Sequence, residues 1–179
     1  HYRFTIRWGE ARATDDGEGV VTETSPVRPG EKAIRDILQS FTGDIQQVPP
    51  IYSAIKVDGR RAYALARANQ PVVLESRIVR IESLVLTDMP DIDHAVFEAV
   101  SGKGAYMRSL ARDIASALGT VGHLLDLRRT VVGPFTEAAA ISLAKLDVLR
   151  HSAPLHEYLL PVETALADIP ALAVSGSEA

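Results

Sequence analysis

The sequence predicts an α+β domain built on a largely antiparallel sheet, and three observations carry that expectation. Segments of period two and segments of helical period are interspersed without the strict strand–helix–strand alternation of a parallel sheet. The longest uninterrupted apolar run is five residues, Ala62 to Ala66, against the roughly 18 that a membrane-spanning helix requires. The 179 residues, 46% of them hydrophobic, are enough for one domain or a domain with an appendage, burying about 70% of its unfolded surface.

The elements follow in order. Tyr2, Phe4, Ile6 and Trp8 alternate with Arg3, Thr5 and Arg7, which predicts a half-buried strand with one cationic face. Gly9 to Gly19 reads as a loop ahead of a short strand near Val20 and Val21. A helix starts at Pro29, with Ala33, Ile34, Ile37, Leu38 and Phe41 at helical spacing and Gly43 as its stop. Thr42 to Pro50 is expected as a loop, Ile51 to Val57 as an apolar run of strand character, Asp58-Gly59 as a turn, and the stretch to Ala68 as helix. Val72 to Leu74, Arg77 to Leu86 and Ala95 to Val100 read as strands. Met107, Leu110, Ala111, Ile114 and Leu118 share one face of a helix ended by Gly119. Leu127 to Phe135 reads as a further strand, and helical runs are expected at Ser142 to Arg150 and Pro161 to Ala167 before the chain fades into Ser175-Gly176-Ser177.

Composition narrows the chemistry. The absence of cysteine excludes a disulfide scaffold, a thiolate metal site and a cysteine nucleophile. The five histidines form no HExxH or HxH pair, so a metal hydrolase site has little material. The net charge of −4 is uneven: residues 1–70, 71–100, 101–135 and 136–179 carry +1, −4, +3 and −4. Lys56, Arg60 and Arg61, and Lys103, Arg108, Arg112, Arg128 and Arg129, form local cationic groups. Such groups either bind a polyanion, because counterion release follows local phosphate contacts, or are ordinary solvated faces.

Three motifs each admit a chemical and an ordinary structural reading. Ser53-Ala54-Ile55-Lys56 fits the SxxK pattern of serine acyl-enzymes, but its SDN-like and KTG-like partners are absent and its apolar neighbours favour a strand. Asp15, Asp16 and Glu18 lack the spacing of an EF-hand and read as a solvated turn. Lys103-Gly104-Ala105 leads into a helix opened by Tyr106 and Arg108, with Arg112 one turn on. That is either an anion site at a helix start or a pair lying over the edge of the core.

Taken in order, four blocks resemble the TruB family of tRNA pseudouridine synthases. Tyr2 to Gly9 with Thr14, Asp16 and Gly19 is similar to the family's YxxxxxxG…TxDxxG segment. Phe41-Thr42-Gly43, Gln47 to Gly59, Tyr63 and Ala66-Arg67 resemble FxGxxxQxPPxYSAxKxxGxxxYxxAR. Ser101 to Leu110 resembles SKGTYxRSL, and His123 to Thr130 resembles HLxxLRRT. The departures are Arg12 for the first Thr of TxT and Ala105 for the Thr of GTY.

The resemblance implies a pseudouridine synthase-like fold, a mixed, mostly antiparallel central sheet flanked by helices and loops. Residues 1–167 would be the catalytic domain and 168–179 a tail or the start of an RNA-binding domain. It implies isomerisation of uridine 55 in the T loop of tRNA, without cofactor or metal, by a cytoplasmic monomer whose partner is the T-arm stem-loop. The family's nucleophile is an Asp in a GxLDPxAxG segment, and no such stretch occurs in these residues, so the fragment alone is expected to be inactive. An RNA-binding module without turnover is the alternative from another class. Carried over by position, Tyr2 stacks on the target base and assists proton removal at C5, Asp16 organises hydrogen bonds, and Arg108 pairs with the catalytic Asp. Tyr106 and Leu127 contact the extruded nucleotide, and Lys56, Lys103 and Arg129 face the RNA. The SxxK match becomes a structural strand with an RNA-facing Lys56.

Overall fold

The alternation at the start of the chain does form a strand, β1 (Tyr2–Trp8), with Phe4, Ile6 and Trp8 fully buried while Arg3 on the opposite face is exposed. The computed structural model describes residues 1–150, 155–167 and 169, so the expected Ser175–Ser177 ending and the 168–179 tail, save Ile169, lie outside the described residues. The chain divides into two units, His1–Arg128 and Arg129–Ala179.

In the first unit, β2 (Glu10–Arg12) and β3 (Val21–Thr24) pair around the loop that follows β1. Helix α1 (Glu31–Ile37) passes into a 3-10 turn, Leu38–Phe41, and buries Ile34 and Leu38. The expected loop from Thr42 to Pro50 is corrected: Gly43–Gln47 is β4, antiparallel to β7 (Arg77–Asp91) with Gly43 opposite Ile81 and Gln47 opposite Arg77. Its GDIQQ sequence shows almost no apolar alternation, because an edge strand can be held by ladder hydrogen bonds alone.

The Ile51–Val57 strand is also corrected. Only β5 (Lys56–Val57) pairs, with β6 (Arg60–Arg61). Residues 51–54, including the SxxK serine, form bends; the Ser53 carbonyl accepts from Tyr63 and that of the following Ile55 from Ala62, both at the start of α2 (Ala62–Arg67). The turn between β5 and β6 is as expected: Asp58 and Gly59 take φ +49° and +80°, the left-handed pair that a two-residue hairpin loop demands. Val72–Leu74, expected as a strand beside Pro71, has no regular structure.

Strand β8 (His94–Ser101) joins β7 to β1, and the sheet order is β4-β7-β8-β1-β9, with β9 spanning Gly122–Arg129. Phe4 faces Phe97 across the ladder, their rings stacked at 5.4 Å, and Trp8 meets the same Phe97 edge-on at 6.4 Å. Helix α3 (Met107–Ala117) covers this face with Met107, Leu110, Ala111 and Ile114, all in the core, as the helical spacing predicts. A side chain at Gly122 would meet the Arg7 carbonyl at 2.9 Å, so glycine is what lets β9 lie close against β1. The expected strand from Leu127 to Phe135 is therefore shifted: β9 starts at Gly122, and Gly133 turns β10 (Val131–Val132) back onto β11 (Phe135–Thr136).

In the second unit α4 (Leu143–Leu149) starts at Ser142, whose Oγ accepts from the Lys145 N–H at 3.2 Å, and α5 spans Val162–Ala165. Among the described residues no helix is long and apolar enough to cross a membrane.

Candidate active site

The loop between β2 and β3 is closed by one arginine. Arg12 donates to the carbonyls of Gly17 (3.2 Å) and Gly19 (2.9 Å) and pairs with Glu10 at 3.0 Å. The same loop is pinned to β9, where the Leu124 N–H donates to the Asp15 carbonyl at 3.0 Å and the Gly17 N–H to the Leu124 carbonyl at 3.1 Å. Asp15 adopts φ +59°, and that backbone reversal lets adjacent carboxylates part company. Asp15 reaches Arg112 at 2.9 Å and Asp16 reaches Arg108 at 3.1 Å, two arginines one turn apart on α3. The solvated turn expected for Asp15, Asp16 and Glu18 is corrected: the two aspartates are largely buried in ion pairs, and only Glu18 is exposed.

Asp16 is held from three sides. Its Oδ1 accepts from the Thr14 hydroxyl and, at 3.2 Å, from the Glu18 N–H, while Oδ2 faces Arg108. Arg108 in turn donates to the Thr14 carbonyl at 3.0 Å and the Tyr52 carbonyl at 2.8 Å, so one guanidinium ties the loop, the bend before β5 and α3 together. Of the two alternatives for Arg108, a cation lying over the core edge is excluded by these bonds. Burial pushes the carboxyls of Asp15 and Asp113 above the usual range, and the Arg112 guanidinium between them works against that rise.

Tyr106 precedes the helix with an extended backbone, and Gln47 holds it there. The Gln47 carboxamide is 1% exposed; its Oε1 accepts from the Tyr106 N–H at 2.8 Å and its Nε2 donates to the Tyr106 carbonyl at 3.2 Å. This two-point clamp imitates a strand pairing and satisfies both backbone groups.

These elements enclose a cavity of about 1110 Å³. One side is the loop, with Thr14, Asp16 and Glu18; another is Leu124 to Leu127 of β9; a third is Tyr52, Ser53 and Ala54 with Tyr63 and Arg67 of α2; Tyr106 and Arg108 form the rest. The Arg67 guanidinium stands 5.5 Å from the Tyr63 ring centre. The surface is open and mixed: aromatic rings and the Arg67 and Arg108 guanidiniums converge on it beside the carboxylates of Asp16, Glu18 and Asp126, a lining that offers stacking and hydrogen bonds to a planar base.

Of the residues expected at a site, Asp16, Tyr106, Arg108 and Leu127 share this cavity. Tyr2 does not line it; half-buried at the start of β1, it packs against the core. Lys56 lines a separate cavity of about 370 Å³ with Arg77, Lys103 lies exposed in the turn before α3, and Arg129 belongs to the second unit. Gln47, Tyr52 and Tyr63 all stand in the FxGxxxQxPPxYSAxKxxGxxxYxxAR block, yet the motif assigns them no role; the pairing of Gln47 with Tyr106 spans 59 positions and leaves no trace in local pattern. Among the described residues no three His, Asp or Glu side chains gather as a metal site.

Comparison with known proteins places this geometry. The family profile described as "TruB family pseudouridylate synthase (N terminal domain)" matches residues 1–107, and that of the "tRNA pseudouridylate synthase B C-terminal domain" matches residues 108–167. The tRNA pseudouridine synthase B of Rhodospirillum rubrum is 59% identical over 99% of this chain and 58% of its own length, and that of Gluconacetobacter diazotrophicus is 58% identical with the same coverage. The chain thus spans little more than half the length of these curated relatives. Among solved structures, a Cbf5-Nop10-Gar1 complex matches with TM-score 0.63 at 22% identity, over 92% of this chain and 42% of that one. The archaeal box H/ACA sRNP Nop10-Cbf5 complex matches with TM-score 0.54 at 20% identity, over 88% and 37%. At such identity these two attest the fold alone, an α+β architecture on a mostly antiparallel sheet. With profiles covering residues 1–167 and each quoted block contributing residues to one cavity, the chain belongs to the TruB family of pseudouridylate synthases.

Proposed function

We propose that this chain handles the target nucleotide in a tRNA pseudouridine synthase that isomerises uridine 55 of the T loop. The observation that carries the reading is the convergence of Asp16, Tyr106, Arg108 and Leu127 on one open cavity. Relatives named tRNA pseudouridine synthase B support it.

The chemistry sets out what such a cavity must do. The bond from C1′ to N1 breaks, the base turns, C1′ bonds to C5, and the C5 proton leaves while N1 gains one, so atoms and electrons balance without a cofactor. The base must first leave its stack, at a cost of a few kcal/mol that pocket contacts offset. In this reading Tyr106 and Leu127 receive the base and Arg108 steadies a nucleophilic carboxylate. Asp16 is not that nucleophile, since its two oxygens are already committed to Thr14, Glu18 and Arg108. Three of the five Arg108 N–H donors are taken by Thr14, Asp16 and Tyr52, which leaves two for the Asp of a GxLDPxAxG segment. Tyr2 keeps its assignment to base stacking and C5 deprotonation on the motif alone. Residues 1–167 act as one catalytic domain of a cytoplasmic monomer, Lys56, Lys103 and Arg129 meet RNA phosphates, and residues 1–179 taken alone bind the stem-loop without turning it over.

Because product and substrate have equal mass, the test follows tritium at C5 of the target uridine in a T-arm stem-loop. The full-length protein is expected to release it in one equivalent, and Arg108→Ala to lose at least a hundredfold in rate with binding reduced only severalfold. Stem-loop binding by the full-length protein with no tritium release would favour the non-catalytic RNA-binding reading.

A further inference from the structure

Resting on that reading, we infer that Arg77 is a positioning residue: it fixes the Tyr106 ring as the wall against which the extruded base lies, without entering the cavity itself. Gln47 and Arg77 stand directly opposite each other where β4 meets the start of β7. Both side chains turn to the same short segment. Gln47 grips the Tyr106 backbone through its N–H and carbonyl. Arg77 donates from Nη2 to the Gly104 carbonyl, and its guanidinium carbon lies 5.2 Å from the Tyr106 ring centre.

The division of labour has a physical basis. Tyr106 sits one residue before α3 with φ −107° and ψ 117°, so no preceding helical turn restricts its side chain as it would inside the helix. Gln47 fixes the backbone but leaves the ring free to rotate about its side-chain torsions. The negative face of the ring attracts a guanidinium, and Arg77 itself is tied at Gly104, so this contact selects the ring orientation. Tyr106 lines the large cavity and Arg77 does not; Arg77 lines the smaller cavity with Pro49, Lys56 and Leu74. The guanidinium therefore acts through the ring. A base leaving its stack gains from a pre-oriented aromatic surface because the ordering cost is already met in the free protein.

The test uses the full-length protein and two RNAs: a T-arm stem-loop with uridine at the target and the same stem-loop with an abasic target nucleotide. Arg77→Met is expected to weaken single-turnover tritium release and uridine stem-loop affinity about three- to thirtyfold. Affinity for the abasic RNA, which has no base to rest on Tyr106, is expected to stay at the wild-type value. Arg77→Lys, which keeps a cation, should recover most of the loss, and Arg77→Met should add nothing in a Tyr106→Leu background. Equal losses on both RNAs, an undiminished effect in the Tyr106→Leu background, or wild-type turnover by Arg77→Met would each overturn the inference. Failure of the wild-type protein to release tritium would instead strike the functional reading on which it rests.

Discussion

Replacing Gln47 by leucine isolates the clamp on Tyr106, because the two side chains are close in volume and the site is 1% exposed. The substitution removes both hydrogen bonds and leaves the Tyr106 N–H unpaired, while the Tyr106 carbonyl keeps its bond from the Leu110 N–H at 3.0 Å. An unpaired buried backbone group costs about 1–3 kcal/mol. Leucine recovers part of this, since burying the carboxamide itself carried a desolvation cost, so a net loss of about 1–2 kcal/mol is expected. With a urea m-value of about 2 kcal/mol/M for a chain of this size, the midpoint should fall by roughly 0.5–1 M. Gln47→Glu gives the sign control. At neutral pH its carboxylate would face the Tyr106 carbonyl, and burial would raise its folded pKa above the unfolded value. The folded state then binds more protons, so stability should rise as pH falls through that folded pKa. An unfolding free energy for Gln47→Leu within about 0.5 kcal/mol of wild type would refute the assignment of the clamp as a main support of the site.

Two further perturbations follow from the geometry. His123 is fully buried, its Nδ1–H donates to the Glu10 carbonyl at 2.8 Å, and burial lowers its pKa. The unfolded chain therefore takes up a proton first as pH falls, and wild-type stability should decline from about pH 7 to about pH 5.5 with a slope of at most about 1.4 kcal/mol per unit; His123→Gln should flatten it, as urea midpoints across that range would read. Asp15 and Asp113, whose carboxyls are raised, contribute with the opposite sign in the acid range, gaining stability as they protonate. Lys56→Ala should weaken stem-loop affinity alike for uridine and abasic RNA and lower the slope of log affinity against log salt by about one, measured by titration at several salt concentrations.

Particular elements show what the sequence made legible. The Phe4, Ile6, Trp8 alternation and the Met107, Leu110, Ile114 stripe are amphipathic patterns that one buried face enforces, and both formed as expected. β4 was missed because an edge strand of sequence GDIQQ is stabilised by the β7 ladder and not by its own pattern. The bend at Ser53 was misread as strand because the hydrogen bonds that shape it come from Ala62 and Tyr63, beyond the window of local propensity. At the site, motif resemblance pointed to Asp16, Tyr106, Arg108 and Leu127. The splitting of Asp15 and Asp16 between Arg112 and Arg108, and the Gln47 clamp, are tertiary facts that spacing could not reveal.

The most direct check is a structure of the full-length protein bound to a T-arm stem-loop carrying its target uridine. The base is expected in the cavity between Asp16, Tyr106 and Leu127, its ring within about 4 Å of the Tyr106 side chain. A target base still stacked in the RNA loop, or lodged in the smaller cavity beside Lys56 and Arg77, would contradict the account.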